Sequence, residues 1–327
     1  MRLGVECEEV GQDAGRAWVR LSNGEVLEAD AIVGADGIHS RVREQLWGPG
    51  DARFANLLVW RALIPAERMP GDIEERGNYW VGPGRSIVSY WVRPQETYSF
   101  LASVPASEVH RESWAQSGDV KDLIQSFDGA EPRVQRLLSA IDSAFITGMY
   151  FRDPLSHWTN GRITLMGDAA HAMVPYLAQG ACQAIEDAWV LAACLASHGK
   201  ADVSGALQEY EARRLPRTTR VQSTARSMLK LVHEADPARI KARNGRWRGM
   251  ARIDPLGEAT WSFCWDYNVM RAVCEPTGEV LGLTATREGA RMRRPESQRA
   301  LTSGRTRSRR RTWHAATTAC AKPTIAC

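Results

Sequence analysis

The sequence predicts an α/β fold in which a strand-rich segment is inserted between two parts of one α/β domain. Two observations carry this prediction. Short apolar runs at Ile32–Val33 and Ile163–Met166 each end in a glycine-containing turn and lead into a helix, as buried parallel strands do. Between them, segment 51–151 alternates β-branched or aromatic residues with polar ones and has proline or glycine at the breaks, which is typical of antiparallel strands.

The first fifty residues predict a small β-meander, a strand and a helix. Ala17–Leu21 alternates apolar and polar residues, and Ser22-Asn23-Gly24 is a typical hairpin turn before a return strand at Glu25–Ala29. The apolar run that follows ends at Asp36-Gly37, and Ser40 is suited to cap the next helix. A helix-capping role alone would be enough to explain a serine at position 40.

Arg43 follows Ser40 by three residues, so its guanidinium can reach the turn that Gly37 opens. The forked donors of an arginine match phosphate oxygens. This spacing therefore favours a phosphate near the turn.

The middle of the chain predicts four strands and a helical cover. The strands are expected at Leu57–Ile64, Tyr79–Val81, Ile87–Val92 and Thr97–Val104. A helical stretch from Val120 to Leu138 would cover one face of the resulting sheet with its apolar positions, which are Leu123, Ile124, Phe127, Val134 and Leu137.

The segment Gly161–Ala188 is the most informative part of the chain. Its apolar run predicts a buried strand, and ligands bind at the carboxyl end of such strands. Asp168 lies there between Gly167 and small residues, so its carboxylate can accept hydrogen bonds from two hydroxyls of a ribose or ribitol. A turn-capping role for Asp168 is the alternative.

A long amphipathic helical region interrupted at Pro216 is predicted at Leu207–Val232. Before it, a helix is predicted from about Gly180. Its first residues, Gly180, Ala181 and Cys182, leave the unpaired N–H groups uncovered, and the helix dipole then favours an anion. Tight packing is the other explanation for this run of small residues.

Together these strings resemble the FAD-dependent aromatic hydroxylases, the group A flavoprotein monooxygenases that include salicylate and 3-hydroxybenzoate hydroxylases. One string is Asp36-Gly37-x-x-Ser40-x-x-Arg43; the other runs from Gly167-Asp168 through Pro175 and Gln179-Gly180 to Ala188. The resemblance extends over residues 1 to about 270. It implies a p-hydroxybenzoate hydroxylase-like fold, in which a FAD-binding Rossmann-like domain carries an antiparallel β-sheet substrate domain.

The resemblance also implies domain limits. We expect the first part of the FAD-binding domain at 1–50, the substrate-binding sheet at 51–151 and the second part of the FAD-binding domain at 152–235. A C-terminal helical segment would follow at 236–274 and a basic disordered tail at 275–327.

The implied reaction uses FAD and either NADH or NADPH. In the family NAD(P)H reduces FAD, O2 adds at the flavin C4a, and the hydroperoxide hydroxylates a hydroxylated aromatic acid such as salicylate. The implied FAD ligands are Asp36, Gly37, Arg43, Gly167, Asp168, Gly180 and Ala181. Pro175 and Gln179 would lie beside the reacting groups as catalytic residues, and His171 is interpreted as structural.

The substrate strand departs from one branch of the family. There a histidine and a tyrosine four residues later polarise the substrate hydroxyl, whereas the corresponding residues here are Ser86 and Tyr90. Both are expected to bind substrate, with Tyr90 orienting its phenol as a catalytic residue. Ser86 cannot act as an imidazole base, which favours a salicylate-like or altered substrate. Tyr90 could instead be a half-buried sheet aromatic.

The family's opening Gly-x-Gly-x-x-Gly unit has no counterpart in the sequence. The nearest string, Gly82-Pro83-Gly84-Arg85-Ser86-Ile87, lacks the third glycine and runs into a strand pattern. We therefore expect a truncated FAD-binding domain with an exposed apolar edge, produced by a start assigned too late or by genuine loss. The rival function is a non-catalytic remnant that binds FAD weakly or not at all.

Composition narrows the classes of protein to which the chain can belong. The chain has 327 residues, 44% of them hydrophobic, which is enough for a sizeable core. Its seven cysteines form no C-x-x-C pair, so neither a disulfide framework nor a metal site is expected. No signal peptide or membrane span is evident, and a cytoplasmic protein is predicted. The net charge of +4 owes much to the arginine-rich tail.

The expected partners are a small aromatic substrate and O2. The arginine-rich tail is interpreted as a disordered extension or as sequence from a shifted reading frame, and nucleic acid is not expected as a partner. Membrane binding is not expected, and a homodimer is left open.

Overall fold

A computed structural model describes residues 1–73, 77–106, 116–254 and 258–274. The predicted basic tail, 275–327, lies outside the described residues. Within these residues the fold is mixed α/β and has three sheets, two of three strands and one of six. This confirms the predicted fold class.

The N-terminal sheet is the predicted meander. Its antiparallel strands are β1 (Cys7–Gln12), β2 (Ala17–Leu21) and β3 (Val26–Ala29). The hairpin between β2 and β3 closes with a hydrogen bond from the Leu21 N–H to the Glu25 carbonyl, 2.8 Å. Gly24 takes φ +82°, which the turn requires and other residues rarely adopt.

The second sheet brings together the two apolar runs that lie far apart in sequence. Its strands, in the order β11-β12-β4, are β11 (Thr159–Asn160), β12 (Ile163–Leu165) and β4 (Ile32–Gly34). β12 and β4 are parallel, with Leu165 opposite Gly34. Their carboxyl ends therefore meet at one edge, and helix α1 (Arg41–Trp47) starts just beyond β4.

The third sheet is antiparallel throughout and has the strand order β6-β7-β8-β5-β10-β9. The strands are β5 (Arg53–Pro65), β6 (Asn78–Gly82), β7 (Arg85–Arg93), β8 (Thr97–Pro105), β9 (Ser117–Gly118) and β10 (Ala144–Phe151). All four predicted strands are present. Two helices, α2 (Val120–Gln125) and α3 (Pro132–Ser139), cover one face of this sheet.

The helical cover differs from the prediction in one respect. Val120–Leu138 is two helices rather than one, because Gly129 takes φ +73° and Pro132 begins the second helix. The expected apolar positions still face the sheet: Leu123, Phe127, Val134 and Leu137 are buried.

The remaining helices follow β12. They are α4 (Asp168–His171), α5 (Gly180–His198), α6 (Val203–Val232), α7 (Pro237–Ile253), α8 (Glu258–Trp265) and α9 (Val269–Cys274). Short 3-10 turns lie at Ala66–Arg68, Pro175–Leu177 and Lys200–Asp202. No helix among the described residues is long and apolar enough to cross a bilayer.

The expected interruption at Pro216 does not occur, and α6 continues through it for 30 residues. The proline removes the N–H partner of the Ala212 carbonyl, but both residues lie on the exposed side of the helix, where water can replace that bond. The buried stripe of α6 packs against α5, and Ala225 in this stripe contacts the large sheet.

A small apolar cluster joins the two halves of the molecule. Leu57, Val59 and Met149 on the second face of the large sheet pack against Val174 and Ala225. The turn at Pro175–Leu177 is part of this junction, since Tyr176 and Leu177 pack against the same cluster.

Candidate functional site

Asp168 lies at the carboxyl end of β12, as predicted. It is the first residue of α4, its side chain is exposed, and it makes no hydrogen bond or ion pair with the residues that the structure describes. Gly167 before it takes φ +60° and donates its N–H to Asp187 Oδ2 at 3.0 Å. The loop is therefore fixed while the Asp168 carboxylate stays available to hydroxyl donors.

The helix α5 begins at Gly180 with an uncapped end. Gln179 precedes it and provides no side-chain cap; instead its buried Oε1 accepts from Gln183 Nε2 at 3.3 Å. A Cβ at Gly180 would meet no atom within 4 Å outside the glycine's chain neighbours and its own helix, so no other element crowds this residue. The first N–H groups of the 19-residue helix have no side-chain cap, and the helix dipole favours an anion near them.

Asp36 is occupied by its own helix. Its oxygens accept from Ser40 Oγ at 2.5 Å and from the backbone N–H groups of Arg41 and Val42 at 2.8 and 3.2 Å. Ser40 Oγ in turn accepts from the Arg43 N–H at 3.0 Å, which confirms Ser40 as the N-cap. Asp36 therefore shapes the turn at Gly37, where φ is +79°.

Arg43 and Arg152 line a pocket beside this turn, together with His39 and the carboxylates of Glu44 and Asp51. Arg43 Nη1 is buried without a hydrogen-bond partner among the described residues. Burial, with a smaller contribution from Arg152, lowers the pKa of Arg43 to about 10. The buried N–H of Arg43, which lacks a partner among the described residues, is the group that could bind an anion in this pocket.

Arg152 also links the two turns. Its Nε donates to the Ile38 carbonyl at 2.6 Å, and its backbone N–H donates to the Ala172 carbonyl at 3.1 Å. Ile38 belongs to the turn after β4, and Ala172 follows α4 after β12. The pocket, Asp168 and the start of α5 consequently lie along the edge of the small mixed sheet where the parallel strands β12 and β4 end.

A buried charge network supports this edge, and we call it the Asp187 network. It comprises His171, Glu186, Asp187, Arg214 and Arg217. Asp187 accepts from His171 Nε2 at 2.6 Å and from Arg214 Nε at 2.8 Å, and both Asp187 and Arg214 are fully buried. Burial raises the pKa of Asp187, but the hydrogen bonds and charges of His171 and Arg214 outweigh it and hold that pKa below its usual range.

Glu186 extends the network to the C-terminal helices. It accepts from Arg214 Nη1 at 2.6 Å and from Arg217 Nε at 2.7 Å. Arg217 Nη1 then donates to the Phe263 carbonyl at 2.6 Å. The partnership of His171 with Asp187 agrees with a structural role for this histidine.

Ser86 and Tyr90 share the face of the large sheet that looks away from α2 and α3. Ser86 pairs with Ser103 and Tyr90 with Ser99 across β8. Ser86 is buried at 3% exposure, whereas Tyr90 is 43% exposed. The two side chains therefore lie on the same sheet face but differ in burial. Ser86 is covered where α6 meets the sheet, whereas Tyr90 is open to solvent.

His233, at the end of α6, contacts Ser86. Its Nε2 lies 3.4 Å from Ser86 Oγ and 2.7 Å from Tyr176 Oη, and its Nδ1 lies 2.8 Å from the Gly84 carbonyl. Sequence reasoning missed His233 as well as Tyr176, Arg152 and Arg214. Tyr176 lies inside the Gly161–Ala188 segment, but a single histidine or arginine at the end of an element carries no sequence signal of its role.

Comparison with known proteins identifies the family of the chain. Residues 3–225 match the sequence profile of the FAD-binding domain family. The chain belongs to this family. It lies among its aromatic hydroxylases, because it is 33% identical to the 3-hydroxybenzoate 6-hydroxylase 2 of Aquipseudomonas alcaligenes over 81% of this chain and 82% of that protein. The resemblance drawn from the two motif strings is thereby confirmed.

Further members of the family share sequence or fold. The 3-amino-4-hydroxybenzoate 2-monooxygenase PtmB3 of Streptomyces platensis is 35% identical over 80% of this chain and 65% of its own length. A salicylate hydroxylase substrate complex has the same fold, with a TM-score of 0.71 at 24% identity, over 83% of this chain and 70% of that one. The structure of Klebsiella pneumoniae HpxO in complex with FAD and uric acid has a TM-score of 0.68 at 28% identity, over 82% of this chain and 67% of that one. The chain thus spans about 65% of the length of its Streptomyces relative.

Proposed function

We propose that this chain is an FAD-dependent monooxygenase that uses NADH or NADPH and O2 to hydroxylate a hydroxylated aromatic acid. The observation that carries the proposal is the parallel pairing of β12 with β4. This pairing brings Asp168, the start of α5 and the Arg43 pocket to one edge, where a sugar alcohol, a developing negative charge and a pyrophosphate would each meet a suitable group.

The residues present suit FAD. The exposed Asp168 carboxylate would accept from ribityl hydroxyls, beside Gly167. The N–H groups of Gly180 and Ala181 would stabilise negative charge on the ring. When bound, FAD would supply the redox chemistry that activates O2.

The pyrophosphate would meet Arg43. Its buried Nη1, which has no partner among the described residues, would donate to a pyrophosphate oxygen. Asp36 and Gly37 would act indirectly, by holding the turn that presents Arg43.

The substrate would lie between the large sheet and the start of α5. Ser86 and Tyr90 occupy the sheet face, and Pro175 is exposed at the turn that precedes α5. Gln179 would keep that turn in place through its bond to Gln183. A hydroxybenzoate substrate is supported by the names of two relatives, a 3-amino-4-hydroxybenzoate 2-monooxygenase and a 3-hydroxybenzoate 6-hydroxylase.

Purification of the full chain tests the cofactor. We expect a yellow protein, or an apoprotein that quenches FAD fluorescence on titration. Asp168→Ala should weaken this binding, whereas the matched change at the exposed Asp30, Asp30→Ala, should leave it unchanged.

Substrate-dependent NAD(P)H oxidation with product analysis tests the reaction, with 3-hydroxybenzoate and salicylate as probes. A colourless chain that cannot be reconstituted with FAD would favour the non-catalytic alternative. A chain that binds FAD but forms no hydroxylated product with any hydroxybenzoate would contradict the enzymatic proposal itself.

A further inference from the structure

His198 lies in the last turn of α5 with a carboxylate at each nitrogen of its ring. Its Nδ1 is 3.0 Å from Asp202 Oδ2, and its Nε2 is 2.7 Å from Glu209 Oε2. A carboxylate oxygen accepts a hydrogen bond, whereas a neutral imidazole has only one N–H to donate. Both contacts are therefore hydrogen bonds only when His198 is protonated on both nitrogens. The helix dipole favours the same state, because the C-terminal end of a helix attracts a cation.

Other bonds fix the two carboxylates. Asp202 Oδ1 accepts from the Gly205 N–H at 2.9 Å, so Asp202 caps α6. Glu209 Oε1 accepts from Arg213 Nε at 2.8 Å and lies 2.6 Å from Arg213 Nη2. Each carboxylate thus has one oxygen for the imidazole and one for α6. The charged ring of His198 consequently joins the end of α5 to the first two turns of α6.

Arg213 extends this group to the C-terminal helix α9. Its Nη1 donates to the Ala272 carbonyl at 2.7 Å. The side chains of Arg213 and Glu209 are only 11% and 26% exposed, so their bond is largely shielded from water. α9 packs against α5, and Val269 at its start contacts the apolar cluster to which α5 contributes. A row of charges, which we call the His198 clasp, runs to the backbone of α9; it comprises Asp202, His198, Glu209 and Arg213.

The carboxylates of the clasp favour the charged ring. The hydrogen bonds of His198 with Glu209 and Asp202 raise the pKa of His198 and outweigh burial, which lowers it. The hydrogen bond with His198 is also the largest cause that holds the pKa of each carboxylate below its usual range. The shifts of all three groups therefore agree with the geometry of the clasp.

The other titratable groups nearby do not compete for these contacts. Cys194 lies one turn earlier on α5, and burial raises its pKa to about 11, so it is a neutral thiol near neutral pH. Lys200 lies 3.5 Å from Asp30 and is 90% exposed. Arg271 of α9 is exposed. Among the described residues, the charged groups that contact the imidazole are the two carboxylates, with the guanidinium of Arg213 behind one of them.

We infer that the His198 clasp is a pH-sensitive anchor for α9, which is held when His198 is protonated and loosened when His198 loses a proton. The deprotonated ring keeps one N–H, so its other nitrogen presents a lone pair to a carboxylate oxygen. These two groups repel each other, and one contact opens. Opening at Glu209 lets this carboxylate move together with Arg213, and the bond to the Ala272 carbonyl loses its support. The clasp contains no residue assigned to cofactor or substrate, so the anchor does not depend on the proposed function.

The direction of the pKa shift gives the sign of the pH dependence. The pKa of His198 is raised in the folded protein. The stabilisation by the clasp is therefore fully present below the unfolded pKa, about 6.5, and is lost as pH rises through the folded pKa. Burial lowers the pKa of His233, so this histidine titrates below that window. We accordingly expect α9 to loosen above about pH 6.5.

Hydrogen exchange of the α9 amides in the full chain tests the anchor. Mass spectrometry follows the amides of Val269–Cys274 between about pH 5.5 and about pH 9, and each rate is divided by the rate of an unstructured peptide at that pH. The corrected rate should rise roughly two- to fivefold with pH, the range that a partly exposed ion pair supports. His198→Gln should exchange at the high-pH level throughout. The exposed His157 provides the control, and His157→Gln should behave as wild type.

Two further variants separate the titrating group from the anchor. Asp202→Asn removes one negative charge beside the imidazole but leaves the bond between Glu209 and Arg213, so the midpoint of the pH dependence should move to lower pH. Arg213→Gln removes the donor to Ala272, so α9 should exchange faster at every pH. Proton NMR titration of the His198 ring measures the same midpoint directly.

Three results would overturn the anchor. They are a corrected α9 exchange rate in wild type that does not change with pH, a pH dependence that persists in His198→Gln, and a midpoint that stays in place in Asp202→Asn. Circular dichroism identifies any variant that fails to fold. The wild-type measurement needs no variant and then decides.

Discussion

The two halves of the molecule are built around different kinds of core. The large sheet and its helices α2 and α3 enclose apolar side chains such as Phe100, Leu123 and Leu137, each fully buried. The half that carries Asp168 has the fully buried charges of Asp187 and Arg214 near its ligand-binding edge. One half is organised by hydrophobic burial, and the other relies in addition on paired charges.

The difference follows from what each half must position. β5 of the large sheet runs for 13 residues, and its backbone pairs with neighbouring strands along its length. β12 and β4 have three residues each. The turn at Gly167 therefore needs a partner from outside the sheet, and Asp187 supplies it from α5.

The largest effect is expected at the Asp187 network. Asp187→Ala would leave Arg214 buried with one partner lost and the Gly167 N–H unpaired. Breaking a buried pair costs about 3–5 kcal/mol, and we expect a loss of about 4 kcal/mol in denaturant unfolding. The exposed pair of Arg16 and Glu28 provides the control, since Glu28→Ala should cost less than about 1 kcal/mol. Equal losses in the two variants would contradict a charged core.

The same network predicts a response to acid. The pKa of Asp187 in the folded protein lies below its unfolded value. Its stabilisation is therefore present above the unfolded pKa, about 3.9, and is lost as pH falls through the folded pKa. Urea unfolding at a series of acidic pH values should show this loss in wild type and a smaller one in Asp187→Asn.

The apolar half should respond to a cavity instead. Leu137→Ala removes a fully buried side chain from the helix that covers the large sheet. We expect a loss of about 3 kcal/mol. Because Leu137 lies on the far side of the sheet from Asp168, FAD affinity under native conditions should be unchanged. A parallel loss of FAD affinity would show that the two halves are more tightly coupled than their cores suggest.

The third effect concerns only the pocket lined by Arg43 and Arg152. Hydrogen bonds to charged groups contribute about 1.5–3 kcal/mol, so Arg43→Gln should weaken FAD binding roughly ten- to hundredfold. Arg41 lies on the same helix but is exposed, and Arg41→Gln should change the Kd little. FAD fluorescence titration distinguishes the two. Similar losses at both positions would indicate general charge attraction rather than a specific pocket.

The smallest effect lies in the turn before α5. Ala178 takes φ 52° and ψ 32°, a left-handed conformation that strains residues with a Cβ. Ala178→Gly should raise stability by about 0.5–1 kcal/mol, measured by thermal or urea unfolding. The exposed helical Ala188 is the matched control, because Ala188→Gly should lower stability by a similar amount. Destabilisation by both changes would mean that the turn gains nothing from glycine.

Much of the fold could be predicted because its signals are local. The strands of the large sheet follow from alternation, the start of α5 from the run after Gln179, and the cap at Ser40 from its spacing to Arg43. Two predictions failed where context overrode pattern. Gly129 and Pro132 divide one expected helix, whereas Pro216 leaves α6 continuous because water can satisfy the exposed carbonyl.

The site was predicted only in part. Asp168 and Gly180 lie where the motif placed them, because a strand, a turn and a helix start are contiguous in sequence. Asp36 accepts hydrogen bonds from the start of its own helix instead. This depends on the direction of its carboxylate, which the sequence does not show. Arg152 and His233 reach the site from elements that lie far from the motif strings in sequence.

The sequence by itself determined the fold class, the family and the edge of the small sheet where Asp168 and Gly180 lie. Each of these depends on residue types at short spacing, which the chain shows directly. Only the tertiary structure decided that Arg214 pairs with Asp187 and that His233 contacts Ser86. Such pairs are separated by 27 and 147 positions, and they form because helix α6 packs across both halves of the molecule.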